Sequence, residues 1–344
     1  MRLLVIRTSA MGDVALTTPV LRAFTHQYPD VEIVLLTRSA FSPFFYSIEK
    51  LTLIFLDPGN RHKGFSGLIR LLSEIGSAGK FDIIIDLHDV LRSKLLRSFF
   101  WFKSVPSFVI KKNRAEKRSV ISGERKIQLK HTVERYKETF VRAGFPMILT
   151  AGPWIIPEPS ALFRIESVLG SKGELKIGVA PYAKHKLKMW PEKYMVRLLG
   201  MISEKFKTKF FLFGGKAESE KLSALQTMIS GSVNMAGLLN LDEELALISR
   251  LDLMIAMDSS NMHMAALTGA RVISIWGGTD PVIGFGAWNQ PDDYSVRIPV
   301  EELTCRPCTI YGKGECGRGD LACMNWLTPE IVFKKIETIK FNVR

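Results

Sequence analysis

Polar residues that could carry chemistry follow short apolar segments at several points along this 344-residue chain. The first is RTSAMGDVALTTP (7–19), where a small-residue loop leads through Gly12 and Asp13 into a helical pattern. Gly12 permits a tight turn and the close approach of another backbone, and amides at a helix start can bind an anion. Asp13 is therefore a candidate catalytic base, although a carboxylate at this position could also simply cap the helix.

Three lysines form a second candidate site, in PYAKHKLKMWPEKY (181–194). Lys184, Lys186 and Lys188 precede a helix predicted to open at Pro191, because proline is favoured at the first helical position. Point charges and the helix dipole would act together on an anion, and a diphosphate suits such a site. The alternative is a solvated basic loop.

A third candidate is the acid in FGGKAESEK (213–221), where Glu218 follows a pair of glycines. An acid placed after a strand and a glycine turn can accept the two hydroxyls of a ribose. The signal is weak by itself, since an acid in a first helical turn is favoured in any case.

The fourth candidate is DLMIAMDSSNMHMAALTG (252–269), in which Asp258 ends an apolar run. Ser259 and Ser260 offer hydroxyls and amides at the next helix start, and His263 lies one turn further on. Such a group can hold phosphate oxygens with a cation opposite them. A lone histidine is more often structural, but its position after a strand end favours a functional role.

Four cysteines read C-x2-C-x7-C-x6-C, at Cys305, Cys308, Cys316 and Cys323. They could form a structural zinc site, or they are reduced and packed thiols. A G-x-G-x-x-G match at 312–317 follows no predicted strand and opens no helix, so it fails the test for dinucleotide binding. The chain has neither a GxxxxGK[ST] loop nor an Asp-X-Asp pair, which favours a site that requires no metal cofactor.

The elements that must position these residues alternate between apolar strands and helices. Strands are predicted at 3–7, 31–36, 53–56, 81–86 and 107–110, and again from 176–181 and 209–215 onward. Apolar on both faces, they are typical of parallel strands in an α/β fold. We predict two Rossmann-like doubly wound domains facing a central cleft, over 1–160 and 170–325, with a linker within 144–175. A last helix, within 328–344, is expected to cross back toward the first domain.

Charge is concentrated in residues 92–137, which hold 14 Lys or Arg and three acids, a net +11 out of +13 for the chain. Such a patch attracts an anionic membrane face, a phosphorylated lipid or nucleic acid, or it is a solvated surface. No aromatic-interleaved motif accompanies it, so nucleic acid is not expected. The apolar start is too short for a secretion signal, which indicates a cytoplasmic protein.

Taken together, these motifs resemble glycosyltransferase family 9, the heptosyltransferases of lipopolysaccharide core assembly. The resemblance rests on Gly12-Asp13 followed by LTTPVLRAF, on Lys188-Met-Trp-Pro191, on Gly214-Gly215 through Glu218, and on Asp258-Ser-Ser-Asn-Met-His263 followed by WGGTDP. It implies a GT-B fold and an inverting transfer that needs no metal. The nucleotide-sugar donor, expected to be ADP-heptose, would lie against Lys188, Glu218, Asp258, Ser259, Ser260 and His263.

The resemblance further implies that Asp13 is the base and that Gly12, Arg61 and Lys63 meet an anionic glycolipid acceptor. The enzyme would then work at the inner face of the cytoplasmic membrane, held there by the basic 92–137 region. The chain departs from the family at Ala183 and Lys184, where small hydroxyl residues are usual, and at Ser259-Ser260 in place of Thr-Gly. A related heptose or hexose donor therefore stays open. The rival interpretations are a catalytically silent nucleotide-sugar-binding paralogue and a nucleic-acid-binding protein.

Overall fold

A computed structural model describes residues 1–171 and 173–341. Contacts between residues divide the chain into two compact units. The first unit joins Met1–Lys112 with Thr132–Ile156, and the second joins Asn113–His131 with the chain from Pro157 onward. Each unit is built on one all-parallel sheet, which confirms the predicted α/β class.

The first unit contains a five-stranded sheet in the order β3-β2-β1-β4-β5. Its strands are β1 (Arg2–Ile6), β2 (Glu32–Thr37), β3 (Leu51–Phe55), β4 (Ile83–Asp86) and β5 (Ser107–Val109). The central strand β1 is buried from Leu3 to Ile6, so it needs apolar residues on both faces. The strand order reverses between β1 and β4. Loops diverge at such a reversal, where doubly wound sheets bind ligands beyond the carboxyl ends of their strands.

Helices cover both faces of this sheet. They are α1 (Met11–Ala15), α2 (Thr18–Gln27), α3 (Gly64–Ser77), α4 (Leu91–Trp101) and, after the excursion into the second unit, α6 (Thr132–Arg142). The intervening helix α5 (Arg114–Ile121) belongs to the second unit. The helical pattern that follows Gly12 and Asp13 forms two helices, α1 and α2, separated at Leu16 and Thr17 ahead of Pro19, because proline is tolerated in the first turn of a helix but not within one.

The second unit contains a six-stranded sheet in the order β11-β10-β9-β6-β7-β8. Its strands are β6 (Leu175–Ala180), β7 (Thr208–Leu212), β8 (Ser232–Asn234), β9 (Leu253–Met257), β10 (Val272–Ile275) and β11 (Ser295–Val296). The order reverses between β6 and β9, as in dinucleotide-binding sheets. Its helices are α7 (Pro159–Arg164), α8 (Glu192–Lys205), α9 (Ser219–Met228), α10 (Leu241–Ser249), α11 (Ser260–Thr268), α12 (Ala322–Asn325) and α13 (Pro329–Glu337).

Three segments bear on the predicted domain boundaries. Residues 113–131, placed in the first domain by the prediction, group with the second unit because Val120 and Leu129 pack with Ile283. The predicted linker is partly structured, since α7 within it packs on α10. The last helix, α13, packs on α8 of the second unit. Residues 342–344 of the predicted crossing segment lie outside the described residues, and the crossing stays a prediction.

Among the residues that the structure describes, no helix combines the length and apolar character needed to cross a membrane.

Candidate active site

In the first unit, the predicted base lies at the carboxyl end of the central strand. Asp13 is in the first turn of α1, and its carboxylate pairs with the Arg7 guanidinium at 2.8 Å. Arg7 is almost buried and also donates to the Leu87 carbonyl, at 2.6 Å. The Tyr136 hydroxyl donates to the Asp13 carbonyl, at 3.1 Å. The position of the carboxylate is thus fixed through both its side chain and its backbone. The N-cap residue of α1 is Ala10 and not Asp13, and the Asp13 carboxylate is engaged by Arg7.

A histidine that sequence reasoning missed lies beside this acid. His88 follows β4, so it stands across the strand reversal from β1. Its Nδ1 is 3.0 Å from the Thr8 hydroxyl and its Nε2 is 3.2 Å from the Ser9 hydroxyl. Burial, together with the nearby cations Arg7 and Lys112, lowers the pKa of His88 to about 4. The imidazole is therefore uncharged at neutral pH and can exchange hydrogen bonds with a ligand.

The turn that carries His88 is itself anchored by a buried acid. Asp86 accepts hydrogen bonds from the backbone amides of His88 and Asp89, and it pairs with Arg97 at 3.0 Å. Lys112, after β5, donates to the Asp89 carbonyl. A buried carboxylate needs such partners because its desolvation is costly. These contacts hold the turn that contains His88 at the carboxyl end of β4.

The predicted acceptor residues occupy different places in this unit. Gly12 is buried at the start of α1, next to Asp13. Arg61 and Lys63 lie between β3, the edge strand, and α3, and both are exposed. The Arg61 guanidinium pairs with Glu74 at 2.7 Å. Gly12 thus accompanies Asp13 at the centre of the sheet, whereas Arg61 and Lys63 stand at its side.

In the second unit, Lys188 and Asp258 meet at the strand reversal between β6 and β9. The Lys188 ammonium is 2.7 Å from Asp258 Oδ2, and the Thr279 hydroxyl donates to the same oxygen at 2.8 Å. Three strand-end loops thereby converge on one carboxylate. The charged pair stands at the edge where nucleotides bind in doubly wound sheets.

The start of α11 contributes the remaining predicted residues of this loop. Ser259 is the N-cap of α11, with extended backbone and no side-chain cap bond, and its hydroxyl oxygen is buried without a hydrogen-bond partner. Ser260 begins the helix, and His263 is buried one turn in. A helix start with an unused hydroxyl suits an anionic ligand. The structure thus brings Ser259 and Ser260 next to the Lys188–Asp258 pair.

Glu218 follows the next strand, β7, at the start of α9. Its carboxylate accepts the Gly215 amide at 2.7 Å. A Cβ atom on Gly214 would come within 2.7 Å of Leu222 Cδ1 and 2.9 Å of Glu218 Oε2, so both side chains would have to shift to admit one. This closed turn gives the carboxylate a structural task. Ribose recognition by Glu218 stays a prediction.

A buried arginine that sequence reasoning missed shapes the loop after β10. Arg306 donates to the carbonyl oxygens of Gly277, at 2.7 Å, and of Thr279, at 3.2 Å, and to that of Ile298. It also pairs with Asp280 at 3.4 Å. Arg306 thus holds Thr279 through its backbone carbonyl, and the Thr279 hydroxyl in turn donates to Asp258 of the Lys188–Asp258 pair.

The four cysteines are all free thiols. Within 1–171 and 173–341, no group of three or more His, Cys, Asp or Glu side chains is arranged to hold a metal ion. Burial raises the pKa of Cys323 to about 11, and backbone amides of the following turn lower the pKa of Cys316. The structural zinc site stays a prediction.

Two doubly wound parallel-sheet units in tandem, with a carboxylate at the strand reversal of one and a lysine beside a helix start at that of the other, define a GT-B glycosyltransferase. Comparison with solved structures agrees. A glycosyltransferase family 9 protein from Veillonella parvula superposes with a TM-score of 0.77 at 19% identity, over 98% of this chain and 96% of that one. The Escherichia coli heptosyltransferase WaaC, solved with ADP-2-deoxy-2-fluoro heptose, gives 0.67 at 19% identity, over 98% and 99%.

The sequence comparisons identify the family. The family model for glycosyltransferase family 9 (heptosyltransferase) matches residues 69–309, and the chain belongs to this family. The lipopolysaccharide core heptosyltransferase OpsX of Haemophilus influenzae is 22% identical over 283 residues, covering 81% of this chain and 80% of that protein. The predicted family, fold class and enzyme class are confirmed: the chain is a glycosyltransferase.

Proposed function

We propose that this enzyme transfers a heptose from ADP-heptose to an anionic glycolipid of the lipopolysaccharide inner core, with inversion at the anomeric carbon. Support for the acceptor class comes from relatives named as lipopolysaccharide core heptosyltransferase OpsX and lipopolysaccharide heptosyltransferase 1. Support for the donor comes from a fold relative solved with an ADP-heptose analogue. The departures at Ala183 and at Ser259-Ser260 fall on the donor side, so a related nucleotide-sugar is the first substitute to test.

The first unit supplies the base in this proposal. Asp13 takes the proton of an acceptor hydroxyl as that oxygen attacks the anomeric carbon. Arg7 orients the carboxylate through the 2.8 Å ion pair. His88, uncharged at neutral pH because its pKa is about 4, offers a hydrogen bond beside the attacking oxygen. General-base assistance of this kind typically contributes about 10²–10⁴-fold to the rate.

The second unit holds the leaving group. As the bond between the anomeric carbon and the diphosphate oxygen breaks, negative charge grows on the departing ADP. The Lys188 ammonium and the amides at the start of α11 are placed to stabilise that charge. Positive groups of the chain itself offset the charge of the diphosphate, and the proposal therefore includes no metal in the chemical step.

Cationic residues at the strand ends of the first unit extend the acceptor side. Arg38 follows β2, its Nε is buried without a hydrogen-bond partner, and its charge acts on His88. Lys112 follows β5 and acts on the same ring. Together with Arg61 and Lys63, they give this unit the charge to receive a carboxylate or phosphate of the acceptor, and Gly12, beside Asp13, is the remaining acceptor residue of the proposal.

We also propose a cytoplasmic enzyme that works at the inner face of the membrane that holds its acceptor. The basic 92–137 region supports this placement through its charge. Residues 92–112 and 132–137 of that region belong to the first unit, and residues 113–131 belong to the second. Nucleic acid has no place in the proposal.

The observation that carries the proposal is the Asp13 carboxylate, held on a buried arginine beside an uncharged histidine. The decisive experiment measures release of ADP and formation of product from ADP-heptose with a deacylated, water-soluble core acceptor. Asp13→Asn should bind ADP with unchanged affinity and lower turnover by roughly 10²–10⁴. The matched control is Asp30→Asn, an exposed acid of the same unit, which should keep full turnover.

A different experimental result would contradict each part of the proposal. Full turnover by Asp13→Asn would remove this residue as the base. Product that retains the anomeric configuration of the donor, read by NMR, would remove the single displacement. Loss of activity with EDTA, restored by a divalent cation, would contradict the metal-free step. Elemental analysis of the purified enzyme for zinc tests the cysteine prediction independently.

A further inference from the structure

The outer surfaces of α3 and α4 expose large apolar side chains. Phe65, Ile69, Leu91, Leu95, Trp101 and Phe102 are each between 47% and 79% exposed. Single exposed apolar residues are ordinary, but a group of six on two neighbouring crossover helices is not. We call the surface formed by these six residues the α3–α4 face.

The topology places both helices on the same side of the first sheet. The inner sides of α3 and α4 pack into one core, in which Leu71 and Ile75 meet Leu96 and Phe100. Their outer sides are therefore turned the same way, away from the sheet. Exposed positions recur four residues apart on each helix, which is the spacing of one helical face. The side turned to solvent therefore exposes large apolar side chains beside polar ones such as Arg70 and Lys94.

The charge around this face has one sign. From Leu91 to Ser104 the chain contains four cations, Arg92, Lys94, Arg97 and Lys103, and no acid. Lys94 and Lys103 are exposed. The acid of α3, Glu74, is engaged by Arg61 and His62. A partner that meets apolar side chains and uncompensated ammonium groups must itself be apolar and anionic.

An anionic phospholipid surface has that combination. Aromatic and aliphatic side chains insert at the level of the headgroups and upper acyl chains, while lysines meet the lipid phosphates. Trp101 and Phe102 lie at the end of α4, with ring centroids 5.1 Å apart, and Lys103 follows them directly. We propose that the α3–α4 face docks the first unit on an anionic phospholipid bilayer.

This inference rests on the proposed function for its purpose, because a glycolipid acceptor is held in a membrane. It goes beyond the basic 92–137 region in one respect: the contact includes apolar insertion by six named side chains. A purely electrostatic contact would be lost at high salt, whereas a contact with inserted aromatic rings retains part of its strength.

The test is flotation of the full-length enzyme with vesicles of phosphatidylcholine containing phosphatidylglycerol, compared with phosphatidylcholine alone. The wild type should float with the anionic vesicles, and its tryptophan fluorescence should change on binding. The variants Trp101→Ala/Phe102→Ala and Lys94→Glu/Lys103→Glu should each weaken partitioning by at least about tenfold. The four substituted residues are exposed, so both variants should fold like the wild type. Circular dichroism verifies the fold.

Matched controls come from exposed apolar residues elsewhere. Ile148 of the first unit is 80% exposed and Phe163 of the second is 78% exposed. Ile148→Ala and Phe163→Ala should float like the wild type. Equal losses in these controls and in Trp101→Ala/Phe102→Ala would overturn the proposal. Unchanged flotation of Trp101→Ala/Phe102→Ala would also overturn it. A change only in the oligomeric state of that variant on size exclusion would overturn it too, because the face would then bind a second copy of this chain.

Activity separates this inference from the proposed function. With ADP-heptose and a water-soluble acceptor, Trp101→Ala/Phe102→Ala should match the wild type, because neither residue touches the candidate active site. With a lipid-linked acceptor in vesicles, its rate should fall. Absence of transfer by the wild type to either acceptor would refute the proposed function while leaving the flotation result intact.

Discussion

Replacing Asp258 by asparagine tests the claim that the Lys188–Asp258 pair organises the donor site. The two side chains are 15% and 10% exposed, and their charged atoms are 2.7 Å apart. Removing one partner of a fully buried ion pair costs about 3–5 kcal/mol, because the other charge is left uncompensated. Lys188 retains some access to water, and an asparagine oxygen can still accept the Thr279 hydroxyl. We therefore expect Asp258→Asn to lower the free energy of unfolding by about 2–4 kcal/mol.

A double-mutant cycle isolates the pair itself. Lys188→Met leaves the Asp258 carboxylate, but Thr279 and the start of α11 still stabilise that charge, so a loss of about 1–3 kcal/mol is expected. The double variant Lys188→Met/Asp258→Asn contains no unpaired charge and should lose only about 1 kcal/mol, since neutral replacement of a buried pair is often tolerated. The interaction free energy, which is the sum of the two single losses less the loss in the double variant, would then be about 2–6 kcal/mol.

The control for this cycle is an ion pair of similar length on the surface. Lys205 and Glu337 are 2.6 Å apart, with side chains 50% and 33% exposed. Their cycle should give no more than about 1 kcal/mol. Urea unfolding of the ligand-free enzyme measures both cycles. If the changes at Lys188 and Asp258 are additive, or if the surface pair couples as strongly, the reasoning from burial is refuted.

Three further predictions concern the groups around the two strand reversals. The pKa of His88 is about 4 in the folded chain and about 6.5 in the unfolded chain, so the unfolded chain binds the proton more tightly. The free energy of unfolding that His88 contributes is therefore fully present above pH 6.5 and is lost as the pH drops toward 4. The wild type should lose up to about 3 kcal/mol more than His88→Gln across that window in urea unfolding, and equal pH profiles would contradict it. A lysine at position 306 cannot reproduce the contacts of Arg306 with three carbonyl oxygens. Arg306→Lys should therefore lower the free energy of unfolding by about 2–4 kcal/mol and raise the KM for the donor. Arg250→Lys, at an exposed position, should change neither quantity. Gly277→Ala would place a Cβ 2.9 Å from the Leu187 carbonyl oxygen, so thermal unfolding should show a loss of about 1–3 kcal/mol, while Gly200→Ala, with open space in α8, should not destabilise.

The sequence predicted the strands well because parallel strands buried on both faces appear as continuous apolar runs. It also predicted that Asp13, Lys188 and Asp258 follow the ends of strands, since a strand end is visible as the point where such a run meets polar residues. It could not predict His88, whose partners Thr8 and Ser9 are 80 and 79 residues away in the chain. Proximity of that kind depends on strand order, which local patterns do not contain. The available signal was a histidine directly after the apolar run at 81–86.

The segment 113–131 shows a different limit. Its basic composition gives no local sign that it belongs to the second unit, because the contacts that place it there come from residues about 150 positions later. Leu129 donates its amide to the Val282 carbonyl, and Val120 packs near Ile283. Arg306 is similar, because its carbonyl partners lie on turns whose positions depend on the completed sheet. A charged residue in an apolar, irregular stretch is the one clue that the sequence offers.

The two ion pairs at the strand reversals differ in which partner is more buried, the cation in the first unit and the carboxylate in the second. This difference accounts for their different proposed roles. In the first unit the cation is the buried partner, with the Arg7 side chain 8% exposed and that of Asp13 25% exposed. In the second unit the carboxylate is more buried, at 10% for Asp258 against 15% for Lys188. The group nearer solvent is the one a ligand can reach. A reachable carboxylate can accept a proton from a hydroxyl, and a reachable ammonium can meet a diphosphate. In each pair the buried partner fixes the orientation of the reactive group, and it also compensates the charge of that group before the substrate arrives.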